Sequence, residues 1–237
     1  MNKKQLPVAL SQREITWGLH YLLLQILIIG PLFAHVLEQF FPWLNINMEL
    51  TYNLINLVAV FVIYHRYIGA SIMFGFKHPL RFVLVAGLGM LVYRLVIPKF
   101  ESLVELLSPT IINYNNLAIE KSMRTDPVST VIGSVFLVPL AEEITYRGLI
   151  FGGLHQKNRL VAYLVSILGF SMIHVVGYME LQSFTNSMLT LLTYIPAALI
   201  LTVVYEKSGS ILAPTLIHTA VNAIVSINTL LTLTGGS

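Results

Sequence analysis

The sequence contains no cysteine, which excludes disulfides, thiol catalysis and thiolate metal sites. Charge is scarce as well: 11% of the 237 residues are Asp, Glu, Lys or Arg, against about 25% in a soluble domain. The net charge is only +3, with no basic run or aromatic-interleaved basic patch, so nucleic acid is not an expected partner. No Gly/Ser-rich linker, low-complexity tract or clear repeat divides the chain. What is abundant is apolar: 56% of residues are hydrophobic and the mean hydropathy is +0.76. We expect one membrane-embedded domain over residues 1–237.

The expected fold class is all-α, a polytopic transmembrane helix bundle of about seven spans, within a range of six to eight. A bilayer core needs about 20 apolar residues in a helix. Seven stretches qualify: Trp17–Leu37, Leu50–Tyr67, Arg81–Ile97, Val128–Leu154, Leu160–Met179, Ser187–Tyr205 and Ser210–Leu233. The first is too long and too late for a signal peptide, and no small-residue cleavage site closes it, so it reads as a retained span. Between Pro98 and Pro127 the pattern weakens. Phe100–Leu107 reads as a short amphipathic surface helix, and Asn113, Asn115 and Asn116 read as a loop.

Charge placement sets the expected orientation. With the N-terminus inside, the cytoplasmic segments hold Lys3, Lys4, Arg13, Arg66, Lys77, Arg81, Lys157, Arg159 and Lys207, and the outer segments hold Lys99, Lys121 and Arg124. This is the positive-inside asymmetry. It implies a multi-pass protein of the cell membrane, N-terminus cytoplasmic and C-terminus outside, with the lipid bilayer as partner. The sequence does not specify an oligomeric state.

The fourth stretch reads VSTVIGSVFLVPLAEEITYRGLIFGGL. Each charge at a helix centre costs about 2.5–3.5 kcal/mol on the insertion scale. Glu142, Glu143 and Arg147 must therefore face the bundle interior or a wet cavity, with partners. Glu143 and Arg147 are i, i+4 in the favourable acid-first order, and are expected to form a structural or substrate-orienting ion pair. Glu142 is turned about 100° away and is the freer carboxylate. Pro139, one turn earlier, removes a backbone hydrogen bond and is expected to bend the helix. His174 interrupts the fifth stretch. In the seventh, His218 and Asn222 are i, i+4 and share a face. Counted at 1.5 Å per residue from each cytoplasmic end, Glu142 lies at about 18 Å, His174 at about 21 Å and His218 at about 12 Å, which permits one site near mid-bilayer. His20, Gln25 and His35 are read as interhelical contacts.

These groups suit hydrolysis. Glu142 would act as general base toward a water that His174 helps to hold, and His218 with Asn222 would offer donors to a developing oxyanion. The same residues permit a metal reading, in which Glu142, His174 and His218 ligate a divalent ion such as zinc and leave a position for water. No H-E-x-x-H pair fixes two ligands, and the sequence leaves the two mechanisms open. A proton or cation transporter built on Glu142 and Glu143 is a further possibility, weakened by the lack of a detectable inverted repeat.

At these positions the chain resembles the CAAX protease and bacteriocin-processing (CPBP, or Abi) family of intramembrane proteases. The family's E-E-x-x-x-R motif matches Glu142, Glu143 and Arg147. Its F-x-x-x-H matches Phe170 and His174, and its H-x-x-x-N matches His218 and Asn222. The ordered set covers a family-like catalytic core of about 128–233. The resemblance implies an all-helical membrane endopeptidase acting on a membrane-associated protein or peptide. It places Glu142 and His174 on the catalytic water and His218 and Asn222 at the oxyanion, with Glu143 and Arg147 supporting. CAAX-type processing and bacteriocin maturation or self-immunity are the implied settings. A non-catalytic immunity or interaction protein is the alternative.

Overall fold

The computed structural model describes residues 6–40, 43 and 47–235. Eight helices make up the described chain. The first, α1, runs Gln12–Leu24, continues through a π turn at Gln25–Ile29 and ends as Gly30–Phe40. Then follow α2 (Met48–Lys77), α3 (Pro79–Leu107), α4 (Tyr114–Thr125), the composite α5 (Pro127–His155), α6 (Arg159–Val176), α7 (Phe184–Ser208) and α8 (Leu212–Leu233). No strand occurs among the described residues. Lys3, Lys4 and Ser237 lie outside the described residues, as do the side chains of His35 and Glu38.

Helix starts follow local chemistry. The side chains of Ser11, Asn47, Asn113, Asp126, Asn158 and Ser183 each accept a hydrogen bond from the backbone N–H three residues on. Each thereby satisfies a donor that the first turn leaves orphaned. The α7–α8 corner is set by Gly209, whose φ of 75° is left-handed backbone. A Cβ there would also meet Pro7 Cγ at 2.5 Å.

Six helices among the described residues are long and apolar enough to cross a membrane: α2, α3, α5, α6, α7 and α8. The first expected span is helical too, within α1, but is not one of these six. Two expectations for the Pro98–Pro127 segment are corrected. Helix α3 passes through Pro98 without a break and reaches Leu107, so Phe100–Leu107 is not a separate surface helix. Asn113 caps α4, and Asn115 and Asn116 belong to its first turn rather than to a loop.

Helices α5 and α7 are the most enclosed, with 39% of their most apolar stretch buried, against 11% for α3. Tyr64, Tyr67 and Ile68 of α2 pack with Ile144, Leu149 and Phe151 of α5 and Tyr205 of α7. Phe82, Val85 and Met90 of α3 lie against Leu201 and Val204 of α7 and Ile217 of α8. Gly89 permits that approach: a Cβ there would sit 2.4 Å from Val204 Cγ2. The other face of α3 shows Leu80, Leu84, Leu88 and Leu91, each more than half exposed. A row of this kind is costly in water and suits hydrocarbon.

Two groups of interhelical polar contacts lie at opposite rims. At one, Asn47 donates to Asp126 (2.9 Å), Ser122 to Glu49 (3.1 Å) and Asn186 to the Ile112 carbonyl (2.9 Å). At the other, Ser210 donates to the Ser71 carbonyl (2.7 Å), and Arg81 to that of Lys207 (2.7 Å). There Glu206 also gathers His155, Arg159 and Tyr163 at 2.5–3.0 Å. Between the rims the α5 helix holds its charges. Gln25 reaches Tyr52 across α1 and α2 at 3.2 Å, as expected. His20 instead bonds the Thr16 carbonyl of its own helix.

Candidate active site

The carboxylates sit on a helix that is not uniformly α. Within α5, π turns span Ile132–Leu137 and Ile144–Gly152, and Val138–Glu143 between them is α-helical. The Val138 N–H reaches back to Gly133 O, five residues away. This widened turn stands directly before Pro139, which has no N–H to contribute. The distortion expected at Pro139 is thus a widened turn.

Glu143 and Arg147 form the ion pair that their spacing implies: Nη1 lies 3.0 Å from Oε1, and both side chains are fully buried. Arg147 also reaches the Ala198 carbonyl of α7 at 3.4 Å and lies 4.2 Å from the centre of the Phe170 ring, a cation–π contact. These contacts offset part of the cost of a full charge in the protein interior, while Arg147 Nε and Nη1 and Glu143 Oε2 have no hydrogen-bond partner among the described residues.

His218 does more than share a face with Asn222. Its Nδ1 lies 2.9 Å from Glu143 Oε1, and its Nε2 lies 3.9 Å from Glu142 Oε2. The first is a hydrogen bond; the second is too long for one. An ionised carboxylate only accepts, so Nδ1 carries the hydrogen, and Nε2 is free to face Glu142. Glu142 itself is only 15% exposed, and its Oε2 has no protein hydrogen-bond partner.

The Phe170/His174 spacing has a physical basis. His174 Nδ1 bonds the Phe170 carbonyl at 2.8 Å, one turn back. That carbonyl can only accept, so the neutral imidazole has Nδ1–H and an Nε2 lone pair. The Phe170 ring meets Arg147, His174 at 4.8 Å between centroids and His218 at 5.7 Å. Phe170 is therefore the joint between α6 and the charged residues of α5 and α8. No direct hydrogen bond joins His174 to Glu142 among the described residues. Asn222 donates to the Ser134 carbonyl of α5 at 2.8 Å, which commits one amide hydrogen and leaves the other and Oδ1.

The structure thus brings Glu142, Glu143, Arg147 and His218 together directly and His174 through Phe170, whereas Asn222 is bonded to α5 at Ser134, about two turns before Glu142. Tyr194 of α7 escaped sequence reasoning. Its ring stacks on His174, with centroids 4.2 Å apart and planes at 26°. An aromatic in an apolar helix gives no signal of its own. The metal reading fits poorly: no three His, Asp or Glu side chains among the described residues form a group able to hold an ion.

Fold and site together define a polytopic all-α membrane protein with a buried ionic site shared by α5, α6 and α8. Residues 124–224 match the Rce1-like family, described as type II CAAX prenyl endopeptidase Rce1-like. All three motifs fall inside that segment, and over it the family resemblance read from them is borne out. The chain is also similar to UPF0177 protein YxdF of Lactococcus lactis subsp. lactis (strain IL1403), 33% identical over 86 residues. That alignment covers 36% of this chain and 42% of the relative, less than half the relative's length. No solved structure matches. The match over residues 124–224 is to a CAAX-type protease family.

Proposed function

We propose that this protein is an intramembrane endopeptidase that hydrolyses a peptide bond of a membrane-associated protein or peptide, with Glu142 as general base. The observation that carries this is the Glu142 carboxylate: nearly enclosed, without a hydrogen-bond partner at Oε2, and facing His218 Nε2. Glu142 takes a proton from a water as its oxygen attacks the carbonyl carbon, and the His174 Nε2 lone pair holds the water's other hydrogen. In its imidazolium form, His218 carries a hydrogen on Nε2 as well as the one given to Glu143. It then donates to the oxyanion, joined by the remaining Asn222 amide hydrogen. The protonated Glu142 passes its proton to the amide nitrogen as the C–N bond breaks. With His218 as imidazolium, two carboxylates, one guanidinium and one imidazolium would sum to zero charge, which would lower the cost of burying the cluster.

The substrate class we propose is a prenylated CAAX-type protein or peptide, supported by the family match over 124–224. The decisive experiment presents farnesylated CAAX-type peptides to the purified protein in liposomes prepared in H₂¹⁸O. Cleavage that places one ¹⁸O in the new carboxyl group is the expected result. A correctly folded protein that cuts no such peptide, and whose Glu142→Ala variant still protects cells against a bacteriocin, would instead be a non-catalytic immunity protein.

A further inference from the structure

Helix α7 presents a row of residues at intervals of four: Asn186, Thr190, Tyr194, Ala198 and Thr202. Neighbouring members of such a row lie one above the other, and the row winds around the helix by about 40° per step. Its first member grips the chain between α3 and α4. The Ile112 N–H donates to Asn186 Oδ1 at 3.0 Å, and Asn186 Nδ2 donates to the Ile112 carbonyl at 2.9 Å. Tyr194 is held by the same region. Its hydroxyl accepts from Asn113 Nδ2 (3.1 Å) and Asn115 Nδ2 (3.2 Å), and donates to Asn113 Oδ1 (3.2 Å). All the hydrogen-bonding capacity of that hydroxyl is used by two residues at the start of α4. One turn further along, the Ala198 carbonyl meets Arg147.

The other end of this relay is His174. One hydrogen bond, from Nδ1 to Phe170 O, anchors the imidazole. That bond fixes one atom of the ring, but rotation of the plane about it would swing Nε2 away from the site. The Phe170 ring meets the imidazole at a tilt of 48°; the Tyr194 ring stacked at 4.2 Å adds the constraint on its plane, and the asparagines fix that ring in turn.

We propose that Tyr194 is a positioning residue for His174, and that Asn113 and Asn115 set its position from outside the catalytic cluster. This rests on the reading above, in which His174 holds the catalytic water. A misplacement of about 1 Å at such a group costs up to about 10²-fold in rate.

The test reads the imidazole directly. Protein carrying ¹³C,¹⁵N-histidine is placed in nanodiscs, and the His174 ring resonances are assigned by their loss in His174→Gln. Stacking on Tyr194 should shift the His174 ring C–H signals upfield. Asn113→Ala/Asn115→Ala, and Tyr194→Phe as the milder variant, should shift and broaden them, and Tyr194→Leu should abolish the upfield shift. In a cleavage assay the same variants should lower kcat while KM stays within about twofold, with Tyr194→Phe least affected. Unchanged His174 signals in the double asparagine variant and Tyr194→Phe would overturn the proposal. Shifted signals in a protein that cuts nothing would support the positioning and count against the protease reading instead.

Discussion

His218 sits between two neighbouring carboxylates, with Nδ1 at 2.9 Å from Glu143 Oε1 and Nε2 at 3.9 Å from Glu142 Oε2. Consecutive glutamates project in different directions from a helix. One side chain of α8 therefore separates their roles. Glu143 is committed to Arg147 and His218, and Glu142 faces the open side of the imidazole.

On the proposed mechanism that division gives Glu143 a structural role. Removing one partner of a buried pair leaves an uncompensated charge, at a cost of about 3–5 kcal/mol. Arg147→Ala and Glu143→Ala should therefore lower the thermal midpoint markedly in detergent, and the double variant should lose less than the sum. Glu142→Gln should leave the midpoint nearly unchanged. Equal destabilisation by all three would dissolve the distinction.

A cluster without three gathered ligands should work without a bound metal. Cleavage is expected to survive extended dialysis against EDTA and 1,10-phenanthroline, with no zinc found by mass spectrometry at stoichiometric level. Loss of activity that returns on adding zinc would reinstate Glu142, His174 and His218 as ligands.

Asp126 precedes the first turn of α5, outside the spans. Bonds from Ser129, through side chain and backbone, and from Asn47 hold its carboxyl below the usual aspartate value. A lowered folded value means that the contribution to stability is present above the unfolded pKa of about 3.9, and is lost as pH falls through the folded value. Thermal midpoints of wild type and Asp126→Asn, followed downward from pH 7, should keep their gap to about pH 4 and then converge. A gap constant into stronger acid would remove Asp126 from the account.

Because the chain has no cysteine, single introduced cysteines report sidedness cleanly. Lys121→Cys should react with an impermeant maleimide from outside intact cells, and Lys157→Cys only after permeabilisation. The reverse pattern would invert the proposed orientation.

Much of the site could be read in the sequence because charge is expensive in hydrocarbon. Glu142, Glu143 and Arg147 stand out in an apolar run, and the i, i+4 rule joins two of them correctly. Pairing across helices was not readable. Nothing in the spacing says that His218 chooses Glu143 over Glu142, since α8 and α5 lie 75 residues apart at that bond. Pro98 misled because proline usually ends a helix, whereas α3 continues through it. Residues 113–116 read as a loop because asparagines favour turns, yet here the first of them is a helix cap. Tyr194 carried no local signal, and its role emerges only from contacts with distant residues.

Glu142 as the base is the central requirement of the proposed mechanism. Its most direct test is the single-turnover rate of peptide cleavage by Glu142→Gln in liposomes, beside wild type of equal thermal midpoint. Glutamine keeps the shape but cannot take the proton, so a fall of at least about 10²-fold is expected. A Glu142→Gln rate equal to wild type would contradict the mechanism.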